Sequence, residues 1–291
     1  MTYSRLANIR ETRAVLERFG LATKHRLGQN FLVNDEVIGR IVELADLGCD
    51  DVVLEVGPGI GTLTVAMLAR VRAVCSIEAD RELESVLAET CADHSEKFFL
   101  TMGDALRVGP QNLQADGVLP PPNKFVSNLP YQVAATLILR NFEEFPSLES
   151  ATVMVQAEVA DRICALPGSK IYGAYTAKLA LWARPAGRFE VGPGNFMPPP
   201  HVDSAVVRLD RGGVPLPEGL GRAEVAAATD AAFAQRRKTI RNSMSSNGFD
   251  KEALDEAFAA TGIAPNARAE TLAPADFVRL AAALKLRERK A

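Results

Sequence analysis

Cysteine is scarce in this chain of 291 residues: Cys49, Cys75, Cys91 and Cys164 are the only four, and none stands in a CxxC pair. Their spacing suits no zinc site, and all four read as reduced, structural residues. No cysteine follows a proline, which excludes a Pro-Cys nucleophile of the kind used for methylation at cytosine C5. The three histidines, His25, His94 and His201, are scattered and suggest no metal site. No apolar run reaches the roughly 20 residues that a membrane-spanning helix needs. The opening stretch MTYSRLANIRETRAVLERFG has no apolar core of the kind a signal peptide carries, so a cytoplasmic location is expected. Charge of one sign is also lacking. A net charge of -3 and a pI near 5.8 argue weakly against nucleic acid as a partner, unless local charge overrules the average. Internal repeats and low-complexity tracts are absent.

What is present is an alternating pattern. Val52 to Val56 is a short apolar run, broken by Gly57-Pro58-Gly59-Ile60-Gly61 and followed by a helical pattern through Leu63, Ala66 and Met67. Strand, glycine turn and helix open a doubly wound α/β fold. Further strands are expected over Ala73–Ile77, Lys97–Thr101, Lys124–Ser127 and Ala151–Gln156, with helices over Arg81–Thr90 and Val133–Asn141. Such alternation implies a mainly parallel sheet with helices on both faces. Two later strands, Arg188–Val191 and Ser204–Leu209, have no long helix between them and are expected to pair antiparallel at the sheet's end. The proline- and glycine-rich stretch from Arg211 to Gly219 reads as a linker. Residues 1–211 are therefore expected to form the α/β domain with an N-terminal helical extension. Residues 218–291, rich in alanine, are expected to form a small all-helical domain.

The glycine loop resembles a dinucleotide fingerprint but departs from it. GxGxxG places its third glycine where Thr62 stands, and Pro58 has no N–H to offer a pyrophosphate. The loop still lets a ligand approach the backbone closely. A neutral or cationic nucleoside such as S-adenosylmethionine suits it better than a phosphate, so a nicotinamide oxidoreductase is disfavoured. Glu78 lies about 20 residues past Gly57, where a carboxylate can accept from both ribose hydroxyls. Asp104 ends the next strand; it reads equally as an acceptor for an adenine amino group and as a helix N-cap.

The stretch Ser127-Asn128-Leu129-Pro130-Tyr131 reads two ways. Asn and Pro are ordinary turn formers. The same residues also suit chemistry on an exocyclic amine, whose lone pair is delocalised into the base. The Asn128 amide and the Leu129 carbonyl could accept its two N–H bonds and free the lone pair towards a methyl sulfonium. Pro130 fixes the backbone, preorganising both acceptors, and Tyr131 offers a ring for the base to stack on. A base inside a duplex cannot reach such a site.

Asn128-Leu129-Pro130-Tyr131 resembles the N-[LIV]-P-[YF] motif of adenine-N6 rRNA dimethyltransferases. Four further stretches are similar to that family in order: Leu27-Gly28-Gln29-Asn30-Phe31-Leu32, Glu55 to Gly61, Asn195 to Ser204 (F-x-P-x-P-x-V-x-S), and Phe233 to Asn242 (F-x-x-R-R-K-T-[IL]-R-N). The resemblance implies a Rossmann-like S-adenosylmethionine-dependent methyltransferase with no metal. It implies cofactor binding by Asn30, Leu32, Gly57, Glu78, Asp104 and Asn128, with Asn128, Leu129 and Pro130 at the reacting amine. It implies that Tyr131 and Phe196 sandwich the target adenine; read without the motif, Phe196 is a core aromatic beside a proline turn. Within the family the kasugamycin-sensitivity type is most similar. That type dimethylates two adjacent adenosines in the terminal hairpin loop of small-subunit (16S) rRNA and takes part in small-subunit biogenesis. The alternatives are the erythromycin-resistance type, which acts on large-subunit rRNA, and an assembly factor that works mainly by binding.

Two basic patches oppose the acidic average. Arg236, Arg237, Lys238 and Arg241 are expected on one helix whose Phe233, Ile240 and Met244 face inward. No acid stands between Asp230 and Asp250, which favours contact with RNA over a merely solvated face. Lys24, His25 and Arg26 make a smaller cluster, with Lys24 and Arg26 as further RNA contacts. The expected partner is 16S rRNA or the immature small subunit. No long apolar surface helix demands a dimer, so a monomer is expected.

Overall fold

The computed structural model describes residues 2–21, 29–113 and 119–288. The chain divides into two compact units, Met1–Ala160 with Pro185–Arg211, and Asp161–Arg184 with Gly212–Ala291. The segment 161–184 thus groups with the C-terminal residues, whereas the sequence pattern assigns everything up to 211 to one domain.

The first unit opens with helix α1 (Ile9–Arg18), whose N-cap Asn8 accepts from the Glu11 N–H. Strand β1 (Phe31–Leu32) leads into α2 (Asp35–Ala45), capped by the Asn34 side chain on the Glu36 N–H. The main sheet then builds from β2 (Val52–Val56), β3 (Ala73–Glu78), β4 (Phe98–Met102), β5 (Lys124–Asn128) and β6 (Ser150–Gln156), all parallel to one another. Helices α3 (Thr62–Leu68), α4 (Glu84–Thr90) and α5 (Ala134–Glu144) make connections between them, and α6 (Ala157–Ile163) follows β6. Two strands close the sheet, β7 (Ala183–Val191) and β9 (Ser204–Arg211), and the short β8 (Phe196–Met197) pairs with β1 instead. The strand order is β4-β3-β2-β5-β6-β9-β7. β9 runs antiparallel to β6, with Gln156 opposite Ser204.

β2 and β3 are buried along their whole length, which explains why their sequences are apolar runs rather than alternations. Chain order reverses at β2, which lies between β3 and β5. A crevice opens at the carboxyl ends of strands at such a switch point. The glycine loop after β2 and the Asn-Leu-Pro-Tyr stretch after β5 therefore meet there.

The second unit is helical: α7 (Ala174–Leu179), α8 (Arg222–Phe233), α9 (Ile240–Ser245), α10 (Lys251–Thr261) and α11 (Pro274–Glu288). Its core holds Tyr172, Val225, Ile240, Met244, Leu254, Phe258 and Phe277. α10 begins at Asp250, which accepts from the Ala253 N–H, and ends at Gly262 in the left-handed region. The single helix expected from Phe233 to Met244 is instead two. α8 ends at Phe233 and residues 234–239 form a turn. Thr239 then caps α9 by accepting from the Asn242 N–H. Ser243 ties this turn down, donating to the Ala231 carbonyl and accepting from the Gln235 N–H. Local hydroxyl bonds of this kind compete with helix continuation.

Candidate active site

A cavity of about 520 Å³ lies at the switch point. It is lined by residues from four stretches: 29–32, the glycine loop, the end of β3 with Gly103–Leu106, and Asn128–Val133. Its volume falls in the range typical of cofactor-sized ligands.

The loop's shape depends on glycine. Gly57, Gly59 and Gly61 have φ of 69°, 62° and 87°, a region L-residues rarely adopt. A Cβ on Gly59 would lie 3.2 Å from the Phe31 ring. Gly57 donates to the Ile77 carbonyl at 2.9 Å, which fastens the loop to β3. Pro130 packs over the same glycine: a Cβ there would sit 3.6 Å from its ring.

Carboxylates surround this loop. Glu78 is buried at the end of β3 and accepts from the Gly59 N–H at 3.3 Å and the Asp80 N–H at 2.8 Å. Burial raises its pKa, and the backbone N–H donors of Asp80, Gly59 and Ala79 oppose that rise. Glu55 is buried too and accepts from the Thr64 and Ser76 hydroxyls, each at 2.8 Å. Burial pushes its pKa up to about 7 against the pull of those two hydroxyls. Asp80 accepts from the Gln29 amide at 2.9 Å and from the Glu82 N–H. A phosphate would meet these acids with no compensating cation among the described residues that line the cavity. A nucleoside with ribose hydroxyls and a cationic sulfonium fits them.

Asn128 ends β5, and its Nδ2 donates to the Asn30 carbonyl at 3.3 Å. That bond orients the amide and leaves its oxygen as an acceptor. Leu129 has its N–H on the Met154 carbonyl at 3.1 Å, while among the described residues no donor takes its own carbonyl. The Val133 N–H takes the Pro130 carbonyl at 3.2 Å. Tyr131 is half-buried on the cavity wall, and its hydroxyl meets the Ser204 hydroxyl at 2.6 Å. Burial raises the Tyr131 pKa, partly offset by the Ser204 bond.

The structure thus gathers Asn30, Leu32, Gly57, Glu78, Asp104, Asn128, Leu129, Pro130 and Tyr131 around one cavity. Asp104 is exposed there, and its carboxylate already accepts from the Leu106 N–H and faces Arg107 at 3.7 Å. Phe196 is not among the lining residues. It is 3% exposed and packs in the core, where β8 pairs it with Leu32. An apolar ring in that two-strand pairing gains more from burial than from a place at the cavity wall. Lys24 and Arg26 lie outside the described residues.

The basic stretch also differs from expectation. Arg236 is bonded to the Lys170 carbonyl and reaches Glu270 at 3.3 Å. Arg241 holds Asp255 with two bonds of 2.6 and 2.7 Å. Both acids come from later in the chain, so the local count of charges misses them. Arg237 and Lys238 are exposed and make no ion pair among the described residues. Sequence reasoning does not pick out Gln29, Asp80 and Ser204 as site residues. For Ser204 the available signal is its place at the end of the F-x-P-x-P-x-V-x-S stretch.

A sheet of five parallel strands joined at β6 by the antiparallel β9, a glycine loop ringed by acids and a cavity at the switch point define a Rossmann-like S-adenosylmethionine-dependent methyltransferase. Residues 20–286 match the family described as Ribosomal RNA adenine dimethylase. The chain belongs to that family. A Ribosomal RNA small subunit methyltransferase A of Thermobifida fusca is 41% identical over 282 residues, covering 96% of each chain. Another, of Kineococcus radiotolerans, is 42% identical and covers 96% of this chain and 92% of its own length. Among solved structures, the 23S rRNA methyltransferase ErmE is 28% identical with a TM-score of 0.67, over 88% of this chain and all of its own. A dimethyladenosine transferase from Plasmodium falciparum, 24% identical with a TM-score of 0.72 over 89% of this chain and 98% of its own, shares the fold. Among the described residues no group of three or more His, Cys, Asp or Glu side chains could hold a metal ion, and no helix is long and apolar enough to cross a membrane.

Proposed function

We propose that the protein dimethylates N6 of two adjacent adenosines in the terminal hairpin loop of small-subunit rRNA. The observation that carries the chemistry is the Asn128 amide, held by the Asn30 carbonyl with its oxygen left to accept. The choice of subunit rests on the two relatives above 40% identity that are named for the small subunit, against 28% for the large-subunit enzyme.

Bound at the glycine loop, S-adenosylmethionine supplies an electrophilic methyl group on a sulfonium. Gly57 and Gly59 would let it approach the backbone, Glu78 would accept from its ribose hydroxyls and Asp104 from its adenine, and Asn30 and Leu32 would close the wall. The target base, unstacked from its RNA, lies against Tyr131. Asn128 Oδ1 and the Leu129 carbonyl accept the two N6–H bonds, so the nitrogen becomes more tetrahedral and its lone pair turns towards the methyl carbon. With the methyl sulfonium bound, N6 would take the methyl group while the S–C electron pair stays on sulfur, and the ammonium proton would leave to water. The second round repeats the step with one N–H remaining. Because Phe196 is buried, Tyr131 is the base's aromatic partner within the cavity as described.

Arg237 and Lys238 of the C-terminal unit contact phosphates of the immature small subunit, and Lys24 and Arg26 are further candidates. The protein acts in the cytoplasm as a monomer. Asn128→Ala tests the central role: methylation should fall at least ~100-fold while subunit affinity holds. Unchanged turnover would remove Asn128 from the reaction.

A further inference from the structure

Gln156 is the last residue of β6 and lines the cavity, yet it has no part in the steps assigned to Asn128, Leu129 and Tyr131. Strand register fixes the face it occupies. Asn128 of β5 pairs with Met154, and Gln156 lies two residues beyond Met154. Side chains alternate across a sheet, so Asn128, Met154 and Gln156 share one face. The packing agrees: Val126, Met154 and Val206 lie in one buried cluster with Phe31 and Leu32. Gln156 therefore stands one step nearer the carboxyl edge than Asn128. On its other side it lies directly opposite Ser204 of β9. Opposed residues of an antiparallel pair point to the same face, and the Ser204 hydroxyl is 2.6 Å from that of Tyr131. Gln156 is thus set between the strand that carries the acceptor amide and the residue that holds the stacking ring. Its side chain is half-buried, and among the described residues its amide makes no hydrogen bond. That leaves two N–H donors at the cavity wall. They are on the target-base side, since β6 lies beyond β5 from β2 and β3, which carry the glycine loop and Glu78.

We infer that the Gln156 amide donates a hydrogen bond to a ring nitrogen of the target adenine, N1 or N7, and holds the base in register for the second methyl transfer. The inference rests on the proposed function, which supplies the adenine and its two acceptors, Asn128 and Leu129. Those acceptors match an amine with two N–H bonds. After one transfer N6 keeps a single N–H, and one acceptor loses its partner. Stacking on Tyr131 tolerates any base and leaves the ring free to turn in its own plane. A ring nitrogen flanks the amine on either side, carries a lone pair in the base plane and is untouched by methylation at N6. A donor to it serves both rounds equally. Gln156 therefore matters more in the second round, where it replaces the contact that the first round removed.

Two substrates separate the rounds: unmethylated small subunits, and the same subunits carrying N6-methyladenosine at the target positions. Gln156→Met keeps the volume of the side chain and removes both donors. In single turnover it should slow transfer to N6-methyladenosine about 10-fold and transfer to adenosine about 3-fold at most. N6-methyladenosine should then accumulate where the wild type yields the dimethyl product. Gln156→Glu, an acceptor alone when ionised, should behave in the same way. A residue that merely supports the fold would slow both rounds alike. The same comparison with 1-deaza and 7-deaza forms of N6-methyladenosine identifies the bonded nitrogen. With the base that lacks it, the wild-type rate over the Gln156→Met rate should fall from about 10 to about 1, and the altered reactivity of the base cancels in that ratio. Equal slowing of both rounds, unchanged rates in the variants, or a ratio that survives both deaza bases overturns the inference. Absence of methylated adenosine from small subunits treated with the wild type counts against the proposed function instead.

Discussion

The Tyr131 hydroxyl lies 2.6 Å from the Ser204 hydroxyl, joining two motifs that stand 73 residues apart in the chain. Ser204 is the first residue of β9 and is fully buried, while Tyr131 follows β5 on the cavity wall. The bond fixes the ring on which the target base is proposed to stack. Ser204→Ala and Tyr131→Phe each break this one bond and keep the ring. Each should lower kcat by about 3- to 10-fold, in keeping with roughly 1 kcal/mol for a hydrogen bond. Cofactor affinity should not change. Because both remove the same interaction, the double variant should be no worse than either single one. Effects that multiply would mean the hydroxyls act independently.

Glu55 predicts a pH dependence of stability. Its pKa is about 7 in the folded protein, against 4.5 for an ordinary glutamate. Below 4.5 both states hold the proton. Between 4.5 and 7 the unfolded chain loses it and the folded one does not, so stability falls as pH rises through that window and levels off above it. The loss amounts to roughly 3 kcal/mol at most. Glu55→Gln should flatten this dependence, melting like wild type at pH about 4 and higher than wild type at pH about 8. Parallel melting curves of the two proteins across that range would contradict the account.

Gly59 has φ of 62°, and a Cβ there would press on the Phe31 ring. Gly59→Ala should cost about 1–2 kcal/mol of stability through backbone strain alone. Phe31 must also shift, and it lines the cavity. Cofactor affinity by calorimetry should therefore drop at least ~10-fold, about 1.4 kcal/mol in binding on top of the strain carried in folding.

The four basic residues of the 236–241 stretch should divide by role. Arg241, paired with Asp255 on α10, should lower the melting temperature when changed to Ala and affect subunit affinity little. Arg237→Ala should do the reverse, since its side chain makes no ion pair among the described residues. Equal losses of affinity in the two variants would return Arg241 to the RNA surface.

Much of the fold could be read from the sequence because the signals were local. The Val52–Val56 run, the glycine break and the helix after it sit where periodicity placed them. The strands ending at Glu78 and Asn128 brought their polar last residues to one edge, as a parallel sheet must. What escaped was set by distant partners. Nothing near Arg236 or Arg241 in sequence announces Glu270 or Asp255. The break before Thr239 depends on Ser243 reaching back to Ala231, which outweighs an apolar spacing that fits one helix. Gln29 and Asp80 meet across 51 residues, and no spacing rule connects them. Phe196 was legible only as an aromatic beside prolines; its pairing with Leu32 decides its burial.

The most direct test of the account is methyl transfer from labelled S-adenosylmethionine to unmethylated small and large ribosomal subunits, with the wild-type protein and Asn128→Ala side by side. Nucleosides are then resolved by mass spectrometry. The account predicts N6,N6-dimethyladenosine in the small subunit with the wild type, and none with the variant although it still binds the subunit. Dimethyladenosine in the large subunit, or equal methylation by the variant, would contradict it.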